Sequence, residues 1–150
     1  MNCEPDLVPE LSVTDVAASC RFWCDLLGFT VKYARPDEGF VYLTLGRIHL
    51  MLDQADLGRT WTTAPFEAPL GRGINLQLSV PSIQPLLERL NTAGWPLFLE
   101  PEEKWYRTGA REAGVRQFLV QDPDGYLIGC GSFGVRGQAP SVYWPCAVPG

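Results

Sequence analysis

The chain has 150 residues, 46% of them hydrophobic, enough to bury one core and to form a single domain. Charged residues make up 19% and the formal net charge is −5 with no basic stripe, which excludes a nucleic-acid binder and suits a cationic ligand. No run of eighteen apolar residues occurs and the start MNCEPDLVPEL lacks a basic leader region, so neither a membrane span nor a signal peptide is expected. The five cysteines (Cys3, Cys20, Cys24, Cys130, Cys146) contain no C-x-x-C pair, which fits reduced thiols in the cytoplasm.

In chain order, the first module is expected over residues 6–57. It opens with an alternating strand at 8–13, then a helix capped by Thr14 or Asp15. Val16, Cys20, Trp23, Cys24 and Leu27 share one face of that helix, and Gly28 stops it. Three strands follow at 30–34, 40–45 and 47–52. Residues 58–73, GRTWTTAPFEAPLGRG, read as an aromatic linker loop carrying Trp61 and Phe66.

The second module, 74–134, repeats the first. Leu11-Ser12-Val13 recurs as Leu78-Ser79-Val80, and Gly28-Phe29 recurs as Gly94-Trp95. Two copies of one unit point to duplication within a domain. The strand at 75–80 leads into a helix that starts near Ser82, holds Pro85 in its first turn and buries Ile83, Leu86, Leu87 and Leu90. Strands are expected at 97–100, 115–121 and 126–133, with Asp122-Pro123-Asp124-Gly125 as a hairpin turn. EPEEKWYRTGAREAG, 100–114, reads as a second aromatic loop, holding Trp105 and Tyr106 beside Glu100, Glu102 and Glu103. The Pro-rich tail, 135–150, lacks periodicity, and Tyr143 and Trp144 are its candidate anchors on this subunit or a partner.

Alternation separates the strand faces. Leu11, Val13, Val41, Leu43, Leu50, Leu52, Leu78, Phe118, Val120, Ile128 and Cys130 form an aliphatic set that belongs against the helices. The opposite face mixes Glu10, Ser12, Phe40, Tyr42, His49, Met51, Asn75, Gln77, Gln117, Gly129 and Gly131. That mixture is too polar for a dry core and too aromatic for an ordinary solvated face, so it is expected to line a cleft. The fold class is therefore α+β: two βαβββ modules forming a curved mixed sheet around a cup, helices on the outer face.

Three stretches, VPELSVTDVAASCRFWCDLLGF, GRIHLML and FLVQDPDGYLIG, resemble the vicinal oxygen chelate superfamily. It includes glyoxalase I, extradiol dioxygenases, and fosfomycin- and bleomycin-resistance proteins, and the likeness spans about residues 6 to 134. The resemblance implies a cup-like sheet, usually within a homodimer, and in its enzymes a metal held from four places. Those places fall here on Val8, His49, Asn75 and Gly129. Only His49 is an ordinary first-row metal ligand, and with one His in the chain no two-imidazole site can be built. Glu10, His49 and Gln77 could make only an improvised donor set. The expected cofactor is none, and Gly129 is expected either to widen the cup or to let a neighbour approach.

No catalytic residue is assigned. Cys20 and Cys24 read as core positions, and the chain has no G-x-S-x-G elbow for a nucleophile. The expectation is a bleomycin-resistance-like, metal-free homodimer sequestering a cationic, partly aromatic small molecule. Glu10, Tyr42, His49, Asn75 and Gln77 would supply polar contacts, while Trp61, Phe66, Trp105 and Tyr106 would supply stacking. The alternatives are a metal-dependent lyase, isomerase or dioxygenase of the same superfamily, and a module whose aromatic loops bind protein.

Overall fold

A computed structural model describes residues 4–58 and 61–136. It contains two open four-stranded mixed sheets, two longer helical segments and a one-turn 3-10 helix at Pro36–Glu38. Sheet A holds β1 (Glu10–Val13), β2 (Thr30–Arg35), β3 (Phe40–Leu45) and β4 (Ile48–Gln54) in the order β1-β4-β3-β2. Sheet B holds β5 (Asn75–Ser79), β6 (Leu97–Thr108), β7 (Arg111–Gln121) and β8 (Leu127–Arg136) in the matching order β5-β8-β7-β6. In each sheet the opening strand runs parallel to the last and the other pairs are antiparallel. The duplication read from the sequence is thus a duplication of topology, with Glu10 opposite Met51 where Gln77 stands opposite Gly129.

Helix α1 (Val16–Cys20) continues as a wider π-type turn over Arg21–Leu26. Asp15 caps it, its carboxylate accepting from the amides of Ala17 and Ala18 at 2.9 and 3.2 Å. Thr14 instead donates to the Asp124 carboxylate of the second module. The second helix, α2 (Gln84–Thr92), carries Pro85 in its first turn and buries Leu86 and Leu90. Gly28 and Gly94 follow the two helical segments with φ of +88° and +66°, the left-handed geometry that glycine adopts without a Cβ penalty.

One core serves both modules. Val13, Trp23, Leu43 and Leu52 from the first pack in the same cluster as Ile83, Phe118, Val120 and Ile128 from the second, all fully buried. Each such aliphatic or aromatic side chain contributes about 1.5–3 kcal/mol on leaving water. Phe22 meets Trp95 at 5.1 Å, and the Arg89 guanidinium donates to the carbonyl of Leu26 at 2.9 Å, so the two helical segments are tied as well as packed.

The 122–125 turn does more than reverse the chain. Thr14 donates its amide and hydroxyl to the Asp124 carboxylate at 3.2 and 2.6 Å. The Trp23 indole N–H donates to Asp122 at 3.4 Å, and the Tyr126 hydroxyl donates to the carbonyl of Ser12 at 2.8 Å. The turn of the second module therefore clasps the strand–helix junction of the first. Asp122 and Asp124 are both 4% exposed. Burial pushes the Asp122 carboxyl up to about 6, against the opposing pull of the amides of Tyr126 and Asp124.

The expected aromatic loop at 100–114 is a β-hairpin instead, since β6 and β7 run on to Thr108 and from Arg111. Its strands carry charges on both faces, so they show no period-two apolar signal. Cross-strand positions Glu103 with Arg116, and Arg107 with Glu112, set opposite charges against each other where an apolar ladder would ordinarily mark a strand. Among other boundaries, β1 starts at Glu10, two residues later than expected, and β8 runs to Arg136. Tyr143 and Trp144, and most of the tail, lie outside the described residues.

Candidate functional site

Sheet A turns a polar and aromatic face away from the core. The register lines up Tyr33, Tyr42, Met51 and Glu10 in one row across β2, β3, β4 and β1, with Arg35, Phe40, Asp53 and Ser12 in the next. Tyr33 stacks on Tyr42 with centroids 5.2 Å apart and planes 25° from parallel. Tyr42 meets His49 edge-on at 5.6 Å, and its hydroxyl shares a 2.9 Å hydrogen bond with His49 Nδ1. The Arg35 guanidinium lies 3.9 Å above the Phe40 ring and is paired with Glu38 at 2.6 Å. These contacts make a continuous stack of flat groups along β2 and β3.

Beside that stack lies a cleft of about 430 Å³, lined by Glu10, Arg35, Glu38, Phe40, Asp53 and Gly58. Phe40 forms an apolar wall, 5% exposed. Three carboxylates and one guanidinium border the space. Glu38 is neutralised by Arg35, which leaves Glu10 and Asp53 to set a net negative charge. The arrangement suits a positively charged group next to a flat ring.

Glu10, Tyr42 and His49 thus fall together on sheet A. Asn75 and Gln77 fall on the corresponding face of sheet B, both exposed and bonded to each other, the Gln77 amide donating to Asn75 Oδ1. Tyr106 shares that face, but its row pairs with Ala113, six residues along β7 from the Leu119 opposite Gly129, about 20 Å away. Trp105 points to the other side: the register sets it opposite Gly114, and a Cβ there would lie 2.6 Å from its ring. Its indole N–H donates to Glu103 at 2.7 Å. Trp105 and Tyr106 are consecutive in one strand, so the pleat that exposes one to a face withdraws the other. Trp61, 69% exposed, and half-buried Phe66 sit in the linker outside any strand.

Tyr33, Arg35, Glu38 and Asp53 are the site residues that the sequence did not single out. Every residue of β2 is exposed, so that strand carries no burial pattern to read, and which β2 residue meets Phe40 depends on a bulge between Val31 and Tyr33. Asp53 lies past the expected end of its strand.

The bare glycine at 129 has a definite neighbour. A Cβ at Gly129 would fall 2.6 Å from Gln77 Nε2 and still closer to its Oε1. The space is filled by the folded-over Gln77 amide, so here the glycine admits a neighbouring side chain and does not widen the groove. The four places at which the superfamily's enzymes hold metal consequently fit no metal. Val8 and Gly129 offer no side-chain donor and Asn75 is engaged with Gln77, which leaves His49, its Nδ1 bonded to Tyr42 and its Nε2 open, as a single imidazole where several donors are needed. Among the described residues no three His, Cys, Asp or Glu side chains converge as a metal would require. The half-buried thiols of Cys20 and Cys24 are pushed up by burial, Cys24 to about 11, so neither is a ready nucleophile.

Known proteins place this architecture. A bleomycin resistance protein from Geobacillus stearothermophilus is 26% identical over 133 residues, covering 81% of this chain and 91% of that one. Bleomycin resistance proteins from Staphylococcus aureus match to the same extent. Among solved structures, TioX from Micromonospora sp. ML1 superposes with a TM-score of 0.65 at 21% identity, over 85% of this chain and 98% of that one. A lactoylglutathione lyase from Agrobacterium tumefaciens superposes at 0.56 and 16% identity, over 87% and 94%. Both of these likenesses are of fold. The family model for the glyoxalase/bleomycin resistance protein/dioxygenase superfamily matches residues 7–129, both modules almost end to end, and the chain belongs to that superfamily.

Proposed function

We propose that this protein sequesters a cationic, aromatic small molecule on the sheet A face without a metal of its own. The observation that carries the reading is the cleft between the Arg35–Phe40 stack and the carboxylates of Glu10 and Asp53. Sequestration needs no chemical step. It needs flat surfaces for stacking and an uncompensated negative charge, and the cleft supplies both. The similarity to bleomycin resistance proteins supports the same class of ligand. The donor chemistry at Val8, His49, Asn75 and Gly129 supports the metal-free half of the reading.

On the family resemblance the working unit is a homodimer, which sedimentation equilibrium would measure, acting in the cytoplasm as a binder of neither nucleic acid nor membrane. Among the described residues no helix is long and apolar enough to cross a membrane. Cys20, Cys24 and Cys130 are free thiols, as a reducing compartment would leave them.

The test is titration calorimetry with metal-free and copper-loaded bleomycin. Binding should release heat at protein concentrations of about tens of micromolar, and Glu10→Gln with Asp53→Asn should weaken it about three- to tenfold. No heat from the wild-type protein would remove bleomycin as the ligand. Zinc, nickel, manganese or iron retained stoichiometrically after chelator-free purification, and lost in His49→Ala, would instead make the chain a metalloenzyme.

A further inference from the structure

Among the described residues, sheet A carries a feature on this face that its duplicate does not. Strands β1 and β2 are opposite edges of the sheet, yet Glu4, six residues before β1, is bonded to Lys32 on β2. Both carboxylate oxygens lie 2.9 Å from Nζ. Three strand spacings separate those edges, about 14 Å, and an extended run of six residues reaches about 20 Å. Residues 4–9 therefore lead back from β1 across the sheet to the point over β3 where the Lys32 ammonium lies, with the carbonyl of Pro9 accepting from Met51 as the segment joins β1.

The side on which the segment ends is set by Lys32. Its ammonium lies 5.1 Å from the centroid of the Tyr42 ring, on the face that holds His49. The Lys32 hydrogen bond and charge hold the Glu4 carboxyl below its usual range, and His49 adds a smaller pull in the same direction. Glu4 thus reaches the Tyr42–His49 corner. Tyr42 is only 7% exposed, whereas Leu119, its duplicate on sheet B, is half-buried and the neighbouring Gln77 is exposed.

We propose that residues 4–9 are an internal strap: Glu4 pins Lys32 over Tyr42, and the ligand displaces both to stack on that ring. The inference rests on the ligand-binding reading above and adds to it a competitor built into the chain. A flat cation cannot take the Tyr42 face while an ammonium holds it, and the Lys32 charge would repel such a ligand once uncovered unless Lys32 swings away. The ion pair is exposed, with side-chain accessibilities of 37% and 65%. Pairs of that kind are weak and open readily, which is what a reversible cover requires.

Two readouts on the full chain, on a variant lacking residues 2–6 and on Glu4→Gln test this. The first is nitration of Tyr42 by tetranitromethane, mapped by mass spectrometry with exposed Tyr33 as the internal reference. The second is calorimetry with metal-free bleomycin. Removal of the segment should raise Tyr42 nitration relative to Tyr33 at least threefold and tighten bleomycin binding about two- to fivefold, with Glu4→Gln moving nitration the same way by less. Unchanged nitration of Tyr42 in the shortened protein overturns the proposal, and so does binding that is unchanged or weaker once Tyr42 is uncovered. Uncovered Tyr42 with no bleomycin heat from any of the three proteins upholds the strap as the cover of this face and removes only the ligand.

Discussion

Asp122 is a buried carboxyl whose ionisation the fold resists, and replacing it with asparagine gives a quantitative test of the clasp between the modules. Its pKa stands at about 6 in the folded chain against 3.8 for an unperturbed group, so the native state binds the proton more tightly than the unfolded state does. Stability therefore falls as pH rises from the unfolded to the folded pKa, the reverse of the usual salt-bridged aspartate. Integrating the two titrations, the charge costs the folded state on the order of 1–2 kcal/mol at pH 5 and on the order of 3 kcal/mol at pH 7.5. Asparagine keeps an acceptor for the amides of Asp124 and Tyr126, at 3.0 and 2.9 Å, and carries no charge at either pH. The stability difference between Asp122→Asn and wild type should thus move by on the order of 1 kcal/mol in favour of the variant between pH 5 and pH 7.5. Urea unfolding followed by tryptophan fluorescence measures it, with equal m-values as the check on two-state behaviour. A difference that stays flat, or that moves in favour of wild type as pH rises, would refute the assignment of a raised pKa to this carboxyl.

Three further outcomes follow from the same geometry. Tyr126→Phe removes the 2.8 Å bond to the Ser12 carbonyl and should destabilise the chain by about 1 kcal/mol, read as a lower urea midpoint with unchanged m-value. Thr14→Val deletes the 2.6 Å hydroxyl bond to the Asp124 carboxylate, and a loss of about 1–2 kcal/mol is expected in the same assay, with Thr14→Ser restoring most of it. Gly129→Ala forces only the flexible end of Gln77 to move, so stability should change by less than about 1 kcal/mol while the Gln77 side-chain amide resonances shift in a ¹H–¹⁵N spectrum. Unshifted Gln77 resonances would mean that the amide does not lie over Gly129.

Much of the architecture was legible because it is local. The helix faces, a cap at Thr14 or Asp15 (the structure takes Asp15), the glycine stops and the doubled strand–helix–strand grammar all depend on residues within one or two turns of each other. The family resemblance, and not any local pattern, marked Val8 and Gly129 as places where a donor is missing. The 100–114 stretch was misread because its strand pattern is written in opposite charges across a hairpin, and pairing across strands leaves no trace in a single strand's periodicity. The site was legible only in part. Glu10, Tyr42 and His49 could be assigned to one face by alternation, but Arg35, Glu38 and Asp53 join them through register and a bulge, which a linear pattern does not encode.

The sequence by itself determined a duplicated α+β domain with one imidazole, because composition and short-range periodicity suffice for that. Only the tertiary structure decided that Trp105 and Tyr106 part company, that Gln77 fills the gap over Gly129, and that the 122–125 turn clasps the first module. It also decided that Glu4, ahead of β1, meets the Lys32 ammonium over Tyr42. Each of these is a contact between residues distant in sequence or a choice of strand face. Such contacts are selected by the free energy of the whole packed chain and are not written in any one segment.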